Sequence, residues 1–336
     1  MNKRILWVDV AKAIGIYFIV LGHVLTTGTL RRWIFAFHVP LFFFLAGVTL
    51  KTNSTWMDFV KKKAKGLLIP YISFSFVSMA IYEVMVAFLG MKGEKLKFPR
   101  DLLVVLYGNS RPDIMKWNTP LWFLPCLFAV SLIIYLLEKV INKVGGQRLR
   151  ILIIIAFLAG SILGQEVFDL KLPFQMESGL FMIGFCELGV LVQQYDIRNC
   201  KKYMLLVPIL VLIGILLSNI NGFAEVRIYS YGRYPILFVL TSFLLGGACV
   251  CLALFFQHNR LLGVLGRNTL TILLLHKFPV VFFQSICPIV KSMLSDSCEF
   301  NGTMVALIIS VAVIAMCYIA GLVIENMAPI VLGKSR

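Results

Sequence analysis

Four ionisable side chains stand out near the N-terminus, because they lie inside runs that are otherwise apolar. Asp9, Lys12 and His23 belong to the first apolar run, and His38 belongs to the second. Ionisable residues within membrane-spanning helices are costly to bury, so they are rare and usually functional. Imidazole has an unperturbed pKa of about 6.5, which suits it to take a proton from a hydroxyl group near neutral pH. His23 and His38 are therefore the predicted catalytic residues, and the sequence leaves open which of them is the base.

The spacing within the first run places its ionisable residues on one helix face. At about 100° per residue, Lys12 and His23 differ by about 20° around the axis, and Asp9 lies within about 60° of both. The turn to the second run is short, so His23 and His38 are expected at similar depth. The alternative role for each histidine is to hydrogen-bond a backbone carbonyl or a lipid headgroup.

Lys12 is predicted to bind a donor molecule, with Asp9 in a supporting role. Along a helix Lys12 lies about 16 Å from His23, at about 1.5 Å per residue. This offset suits a donor with phosphates beside the lysine and a reactive end near the histidines. The alternative is that Asp9 and Lys12, one turn apart, form an ion pair that only neutralises two buried charges.

Composition makes the chain an integral membrane protein along its length. Of its 336 residues, 60% are hydrophobic and 14% are charged, whereas soluble domains have about 25% charged residues. A net charge of +16 would suggest nucleic acid in a soluble protein. Cytoplasmic loops of membrane proteins collect Lys and Arg, so the expected partner is the lipid bilayer and no nucleic acid is expected.

Apolar runs predict an all-α bundle of about ten transmembrane helices. Basic residues concentrate on alternate loops, which places both termini in the cytoplasm. The 91–119 loop, with six basic residues, is the exception. No repeat or linker divides the chain, so 1–336 is expected to form one domain. The runs lie near 6–27, 33–50, 67–90, 120–140, 150–164, 177–194, 202–218, 234–256, 269–290 and 303–325.

Basic residues on two predicted cytoplasmic loops are further candidates for the donor site. Lys62 and Lys65 belong to the stretch VKKKAKG, and Arg267 lies on a later loop. The simplest role of such lysines is to anchor the cytoplasmic side of the protein. The alternative, which the prediction adopts for these three residues, is to bind donor phosphates as point charges.

Two more residues are assigned supporting roles near the histidines. Trp122 lies at a predicted outer boundary, where interfacial aromatic residues are common. His276 lies within the ninth run and is followed by Pro279, which opens the helix backbone locally and suggests a cavity. The cysteines show no metal-ligand spacing, so no metal is predicted. Cys287 and Cys298 flank a predicted outer loop, where a disulfide is one alternative.

Several of these residues also form motifs with a family resemblance. A basic residue, ten positions and a histidine are present as Lys12 and His23, with an acid at Asp9. The stretches FHVPLFFFLAG at 37–47, LWFL at 121–124 and GRNT at 266–269, leading to His276, follow. In these motifs the chain resembles the acyltransferase 3 family of integral membrane O-acyltransferases, and most closely the branch with fucose 4-O-acetylases. It departs from the family in having only lysines before the third helix and Ala46 in place of serine.

The resemblance implies an O-acetyltransferase of the bacterial plasma membrane. The donor would be cytoplasmic acetyl-CoA, and the acceptor a hydroxyl group of a cell-surface polysaccharide, oligosaccharide or lipid-linked sugar. The alternative is a proton-coupled transporter or glycan flippase, which also uses intramembrane His, Asp and Lys as relays. Such transporters commonly contain internal repeats, and none is visible in this sequence.

Overall fold

The regular structure of the chain is helical, as the sequence predicts. The computed structural model describes residues 4–88, 93–111, 114–167, 171–195, 197, 204–286 and 299–334. Within these ranges the one exception to helices and turns is an isolated antiparallel bridge between Glu225 and Ser230. The all-α fold class is therefore confirmed.

Fifteen α-helices are described, joined in places by short 3-10 and π-helical turns. They are α1 Leu6–Val24, α2 Thr29–Phe35, α3 His38–Val48, α4 Trp56–Lys63, α5 Ile69–Phe88, α6 Arg100–Tyr107, α7 Phe123–Val144, α8 Gln147–Val167, α9 Met176–Gln193, α10 Val207–Asn221, α11 Pro235–Phe255, α12 Arg260–Arg267, α13 Thr269–Leu275, α14 Lys277–Val281 and α15 Glu299–Met327. The 3-10 turns are Thr119–Trp122, Pro173–Gln175, Val226–Ile228 and Pro329–Leu332, and the π-helical turns are Ala64–Leu68 and Phe282–Ile286.

Eight stretches of the described chain are helical, long and apolar enough to cross a membrane. This makes the chain a multi-pass membrane protein. The predicted spans at 150–164 and 269–290 are not among the eight. The first corresponds to α8. The second is divided among α13, α14 and a π-helical turn, and its last residues lie outside the described ranges. The count of ten spans and the cytoplasmic placement of both termini stay predictions.

Helix α1 lies at the centre of the bundle and packs against α3, α11, α12 and α15. Its contact with α12 is close because residue 266 is glycine. A Cβ atom at Gly266 would lie 1.8 Å from the carbonyl oxygen of Asp9. The backbone of α12 thus lies directly against the first turns of α1, which hold Asp9 and Lys12.

Helices α3 and α9 also approach at glycines. A Cβ atom at Gly47 would lie 1.9 Å from the carbonyl oxygen of Cys186, and one at Gly189 would lie 2.1 Å from that of Phe44. Small residues allow membrane helices to pack this tightly, where dispersion and not the hydrophobic effect holds them together. This contact with α9 fixes the rotation of α3 about its axis, and with it the direction in which His38 and Ala46 point.

The second predicted helix, 33–50, is in fact two helices with a break between them. Phe37 has φ −139° and ψ −22°, so α2 ends at Phe35 and α3 begins at His38. The carbonyl oxygen of Ala36 accepts a hydrogen bond of 2.7 Å from the Ser242 hydroxyl on α11. This tertiary bond helps to hold the break, which makes His38 the first residue of α3.

The basic loop that conflicts with the predicted topology is partly neutralised. Residues 100–107 form α6. Arg111 pairs with Glu177 at 3.3 Å, and Lys116 pairs with Glu94. The hydrogen bond from Lys116 lowers the pKa of the Glu94 carboxyl. Basic residues in longer loops are a weaker topology signal than those in short ones, so this loop does not overturn the predicted orientation.

Candidate functional site

One cavity of about 370 Å³ lies against α1 and brings together residues from distant parts of the chain. Its wall contains residues of α1, α3, α4, α7 and α13 and of the turns before α5 and α7. The polar or ionisable side chains on it are Lys12, His23, His38, Thr49, Lys62, Lys63, Trp122 and Thr269. The rest of the wall is apolar apart from one glycine, and it includes Ile16, Phe42 and Leu273.

The first end of the cavity is basic. Lys12 comes from the second turn of α1, and Lys62 and Lys63 come from the end of α4. The residues described on the wall include no carboxylate. Asp9 pairs with Arg4, with Nε and Oδ2 2.5 Å apart. The ion pair that the structure gives to Asp9 is therefore not the one with Lys12 that the sequence offered as an alternative.

The other end of the cavity holds His23 and His38. The ring of Phe35 lies beside both imidazoles, with centroid distances of 6.0 Å to His23 and 5.0 Å to His38. Nδ1 of His38 lies 2.8 Å from the carbonyl oxygen of Ile34. In a neutral imidazole that nitrogen must carry the proton to make this bond, which leaves Nε2 as a hydrogen-bond acceptor.

A third histidine lies directly behind His23. The ring centroids of His23 and His276 are 5.2 Å apart. His276 is fully buried, and its Nδ1 lies 2.9 Å from the Leu273 carbonyl oxygen and 3.1 Å from that of Ile272. Its Nε2 atom has no hydrogen-bond partner among the described residues. By the same argument as for His38, this buried nitrogen is an acceptor without a donor.

Side-chain amides hold the elements around the histidines. Asn118 donates from Nδ2 to the Ser78 hydroxyl and to the Leu274 carbonyl, each at 3.0 Å. Gln284 donates to the carbonyl oxygens of His23 and Val24, each at 2.9 Å. Those carbonyls have no partner within α1 because the helix ends there. Asn118 therefore connects α13 to α5, and Gln284 connects the π-helical turn Phe282–Ile286 to the end of α1.

The structure gathers part of the predicted site. His23, His38, Trp122, Lys12 and Lys62 line one cavity. His276 does not line the cavity but lies behind its wall, where its ring is next to that of His23. Asp9 is buried near the basic end, while Lys65 and Arg267 are exposed and lie off the wall. The functional roles of all these residues stay predictions, and Lys63 is a wall residue that the sequence-based assignment omitted.

A buried cluster of charges escaped the sequence analysis. Arg150 pairs with Glu138 at 2.8 Å and lies 3.8 Å from Glu187. All three side chains are almost fully buried. Nothing in the spacing of the three residues links them, because they come from α7, α8 and α9.

The described residues on the cavity wall include no cysteine. Cys126, Cys186, Cys249 and Cys317 are free thiols. Cys287 and Cys298, for which a disulfide was considered, lie outside the described residues. Within the described ranges, no three or more His, Cys, Asp and Glu side chains are grouped so that they could hold a metal ion.

The family comparison agrees with this geometry. A family model described as an acyltransferase domain, that of acyltransferase 3, matches residues 5–322. The chain belongs to the acyltransferase 3 family. The match covers nearly the whole chain and makes it a membrane acyltransferase. No curated protein matches the chain. Similarity to the fucose 4-O-acetylase branch stays a prediction.

Proposed function

We propose that this acyltransferase is an O-acetyltransferase of the bacterial plasma membrane. It moves the acetyl group of acetyl-CoA to a hydroxyl group of a cell-surface or lipid-linked glycan. One observation carries the proposal: a single cavity has lysines without carboxylates at one end and histidines at the other.

The basic end fits the donor. Coenzyme A carries several phosphate groups, and lysine ammonium groups bind phosphate as compact point charges. Lys12, Lys62 and Lys63 supply three such charges on one wall. Since Lys12 and His23 are about 16 Å apart along α1, the extended pantetheine arm can bring the thioester toward the histidines while the phosphates stay with the lysines.

We assign the role of general base to His23. The buried Nε2 of His276 needs a donor, and the adjacent imidazole of His23 can supply its N–H. That bond would leave the other nitrogen of His23 with a lone pair for the cavity, which His23 lines. A base oriented by a second group follows the logic of catalytic triads, and His276 is then a positioning residue.

The reaction balances with the groups present. The acceptor hydroxyl oxygen attacks the thioester carbonyl carbon, while His23 takes the hydroxyl proton. The C–S bond breaks as the ester forms, and His23 returns the proton to the departing CoA thiolate. His38 accepts a hydrogen bond through Nε2 from a second hydroxyl of the sugar, and the apolar wall limits competing attack by water.

Acetyl transfer in a purified system is the direct test. The protein in lipid nanodiscs is mixed with acetyl-CoA labelled in the acetyl group and with membrane glycolipid. Label should appear on the glycolipid in a base-labile ester, and it should be lost in His23→Ala. Proton uptake or glycolipid flipping without ester formation would overturn the proposal and favour the transporter alternative.

Labelling of single cysteines tests the orientation on which a cytoplasmic donor depends. Ser54 precedes α4 near the basic end, and Lys95 lies on the loop between α5 and α6; both are exposed. In a cysteine-free background, an impermeant thiol reagent on intact cells should label Lys95→Cys and not Ser54→Cys. The reverse pattern would place the basic end outside and exclude cytoplasmic acetyl-CoA as the donor.

A further inference from the structure

A second group of cations lies at the histidine end of the site. Arg31 lies on α2, where its guanidinium packs on the Phe35 ring beside His23. Lys277 begins α14 directly after His276, whose ring centroid lies 5.2 Å from that of His23. Both cations also interact electrostatically with His23. Arg227, on the loop after α10, interacts electrostatically with both of these cations. These three residues are separate from the lysines at the donor end, which lie about 16 Å away along α1.

Two of these cations, Arg31 and Arg227, share one carboxylate. Glu225 pairs with Arg227 at 2.6 Å and also interacts electrostatically with Arg31. Arg227 is further held by a 2.7 Å hydrogen bond to the Ser110 carbonyl oxygen. Among the described residues, no carboxylate lies within ion-pair distance of Arg31 or Lys277. The histidine end therefore carries an excess of positive charge.

Two aromatic rings hold Arg31 in place, with no carboxylate of the described residues within ion-pair distance. Its guanidinium carbon lies 4.3 Å from the ring centroid of Phe35 and 4.5 Å from that of Phe223. Contacts with the faces of two aromatic rings orient the planar group and leave its N–H edges free for oxygen ligands. Phe35 also touches both cavity histidines, so a ligand of Arg31 would lie next to the proposed base.

We propose that Arg31 and Lys277 bind an oxyanion of the acceptor glycan. The anion is the carboxylate of an acidic sugar or the phosphate of a lipid-linked sugar. Bound there, it holds a hydroxyl group of the same molecule at His23. This inference rests on the proposed function. Charged hydrogen bonds in a partly buried site discriminate strongly against a neutral ligand, which leaves the two cations uncompensated.

Three small probes test the anion site directly. The protein in zwitterionic nanodiscs, with CoA added to occupy the donor end, is titrated with methyl glucuronide, glucose 1-phosphate and methyl glucoside. Binding is followed by ligand-observed NMR. At least one charged probe should bind about tenfold more tightly than the glucoside, as expected for one charged hydrogen bond. Comparison of the glucuronide with the phosphate shows which oxyanion the site prefers.

Variants assign the binding to these residues. Arg31→Gln and Lys277→Gln should each weaken binding of the preferred charged probe about tenfold and leave glucoside binding unchanged. Arg31→Lys should keep most of the affinity. This result would show that the weaker binding of Arg31→Gln does not come from a folding defect. The matched control is Arg32→Gln: Arg32 is the next residue, its Nη1 bonds to Asn219 at 3.4 Å, and its loss should have no effect.

A third variant should change the affinity for the charged probe in the opposite direction. Glu225→Gln removes the carboxylate that competes with the ligand for Arg31, so the charged probe should bind more tightly than to the wild type. A general loss of structure would weaken binding instead.

Failure of this inference is distinguishable from failure of the proposed function. Equal affinity for all three probes, or an equal loss in Arg31→Gln and Arg32→Gln, would overturn the anion site even if acetyl transfer proceeds. If the probes behave as expected but labelled acetyl groups never reach any glycan, the proposed function fails, and the acceptor role of the anion site fails with it.

Discussion

Arg150 and Lys12 are both cations within the helical bundle, but of the two only Arg150 has carboxylates within ion-pair distance among the described residues. Arg150 is 2% exposed and pairs with Glu138 at 2.8 Å, with Glu187 close by. Lys12 is half-buried on a cavity wall whose described residues include no carboxylate. The same contrast separates Arg227, paired with Glu225, from Arg31 and Lys277.

The contrast indicates which charges serve the fold and which serve a ligand. A buried ion is tolerated when partners replace its lost hydration, and removal of one partner then leaves the other uncompensated. A half-buried cation without a carboxylate has no such partner in the fold, so an anionic ligand is the natural source of compensation. Variants of paired residues should therefore lose stability, whereas variants of unpaired ones should lose binding or turnover.

The largest effect is expected for His23→Ala. Loss of a general base typically slows turnover by about 10²–10⁴-fold, and the melting temperature of the protein should not fall. His258→Ala is the matched control, because His258 is exposed and lies away from the cavity. Acetyl transfer to the glycan measures both. Undiminished transfer by His23→Ala, with loss in His38→Ala, would reverse the roles assigned to the two histidines.

Arg150→Met should be the most destabilising of the charge variants. Removing one member of a buried ion cluster typically costs about 3–5 kcal/mol, because here Glu138 and Glu187 would remain buried without a cation. Unfolding in mild detergent measures the change. Arg148→Met, at an exposed position nearby, should leave the stability unchanged.

Binding of acetyl-CoA by the folded fraction of Arg150→Met should equal that of the wild type. A selective loss of donor affinity at unchanged stability would place Arg150 in the functional group of cations.

Lys12→Met should show the opposite pattern. Loss of one phosphate contact should weaken acetyl-CoA binding about tenfold, and the free energy of unfolding should stay nearly constant, since the ion pair of Asp9 is with Arg4 and is kept. Lys12→Arg should restore part of the affinity. Lys51→Met, at an exposed position, serves as the control. Unchanged donor affinity in Lys12→Met, measured by equilibrium binding, would remove this lysine from the donor site.

Local periodicity explains what the sequence could predict. Lys12 and His23 share a face because the helix repeat alone fixes it, and both line the cavity. The all-α class and several membrane spans follow from the apolar runs. The sequence also predicts His38 at a similar depth to His23, since a short connection brings α3 back along α1, and both histidines line the cavity.

Tertiary contacts explain what the sequence could not predict. The break at Ala36 is supported by a hydroxyl group of α11, far along the chain. The contact between His23 and His276 depends on how α13 and α14 pack against α1. Likewise, Arg150 meets its carboxylates only because three helices converge. No pattern within one helix encodes such pairs, so the partners of a charge become visible only in the fold.

The smallest effect is expected for Lys334→Met, which tests whether burial or pairing governs the comparison. Lys334 pairs with Glu325 at 2.7 Å, as short a contact as that of Arg150, but the side chains are 44% and 38% exposed. Water already compensates both charges, so the pair should contribute less than about 1 kcal/mol. Detergent unfolding of Lys334→Met beside Arg150→Met measures the difference. If the two variants lost similar stability, ion pairing and not burial would determine what the loss of a charged residue costs. The lack of an ion pair at Lys12, and not its burial, would then mark it as a ligand-binding residue.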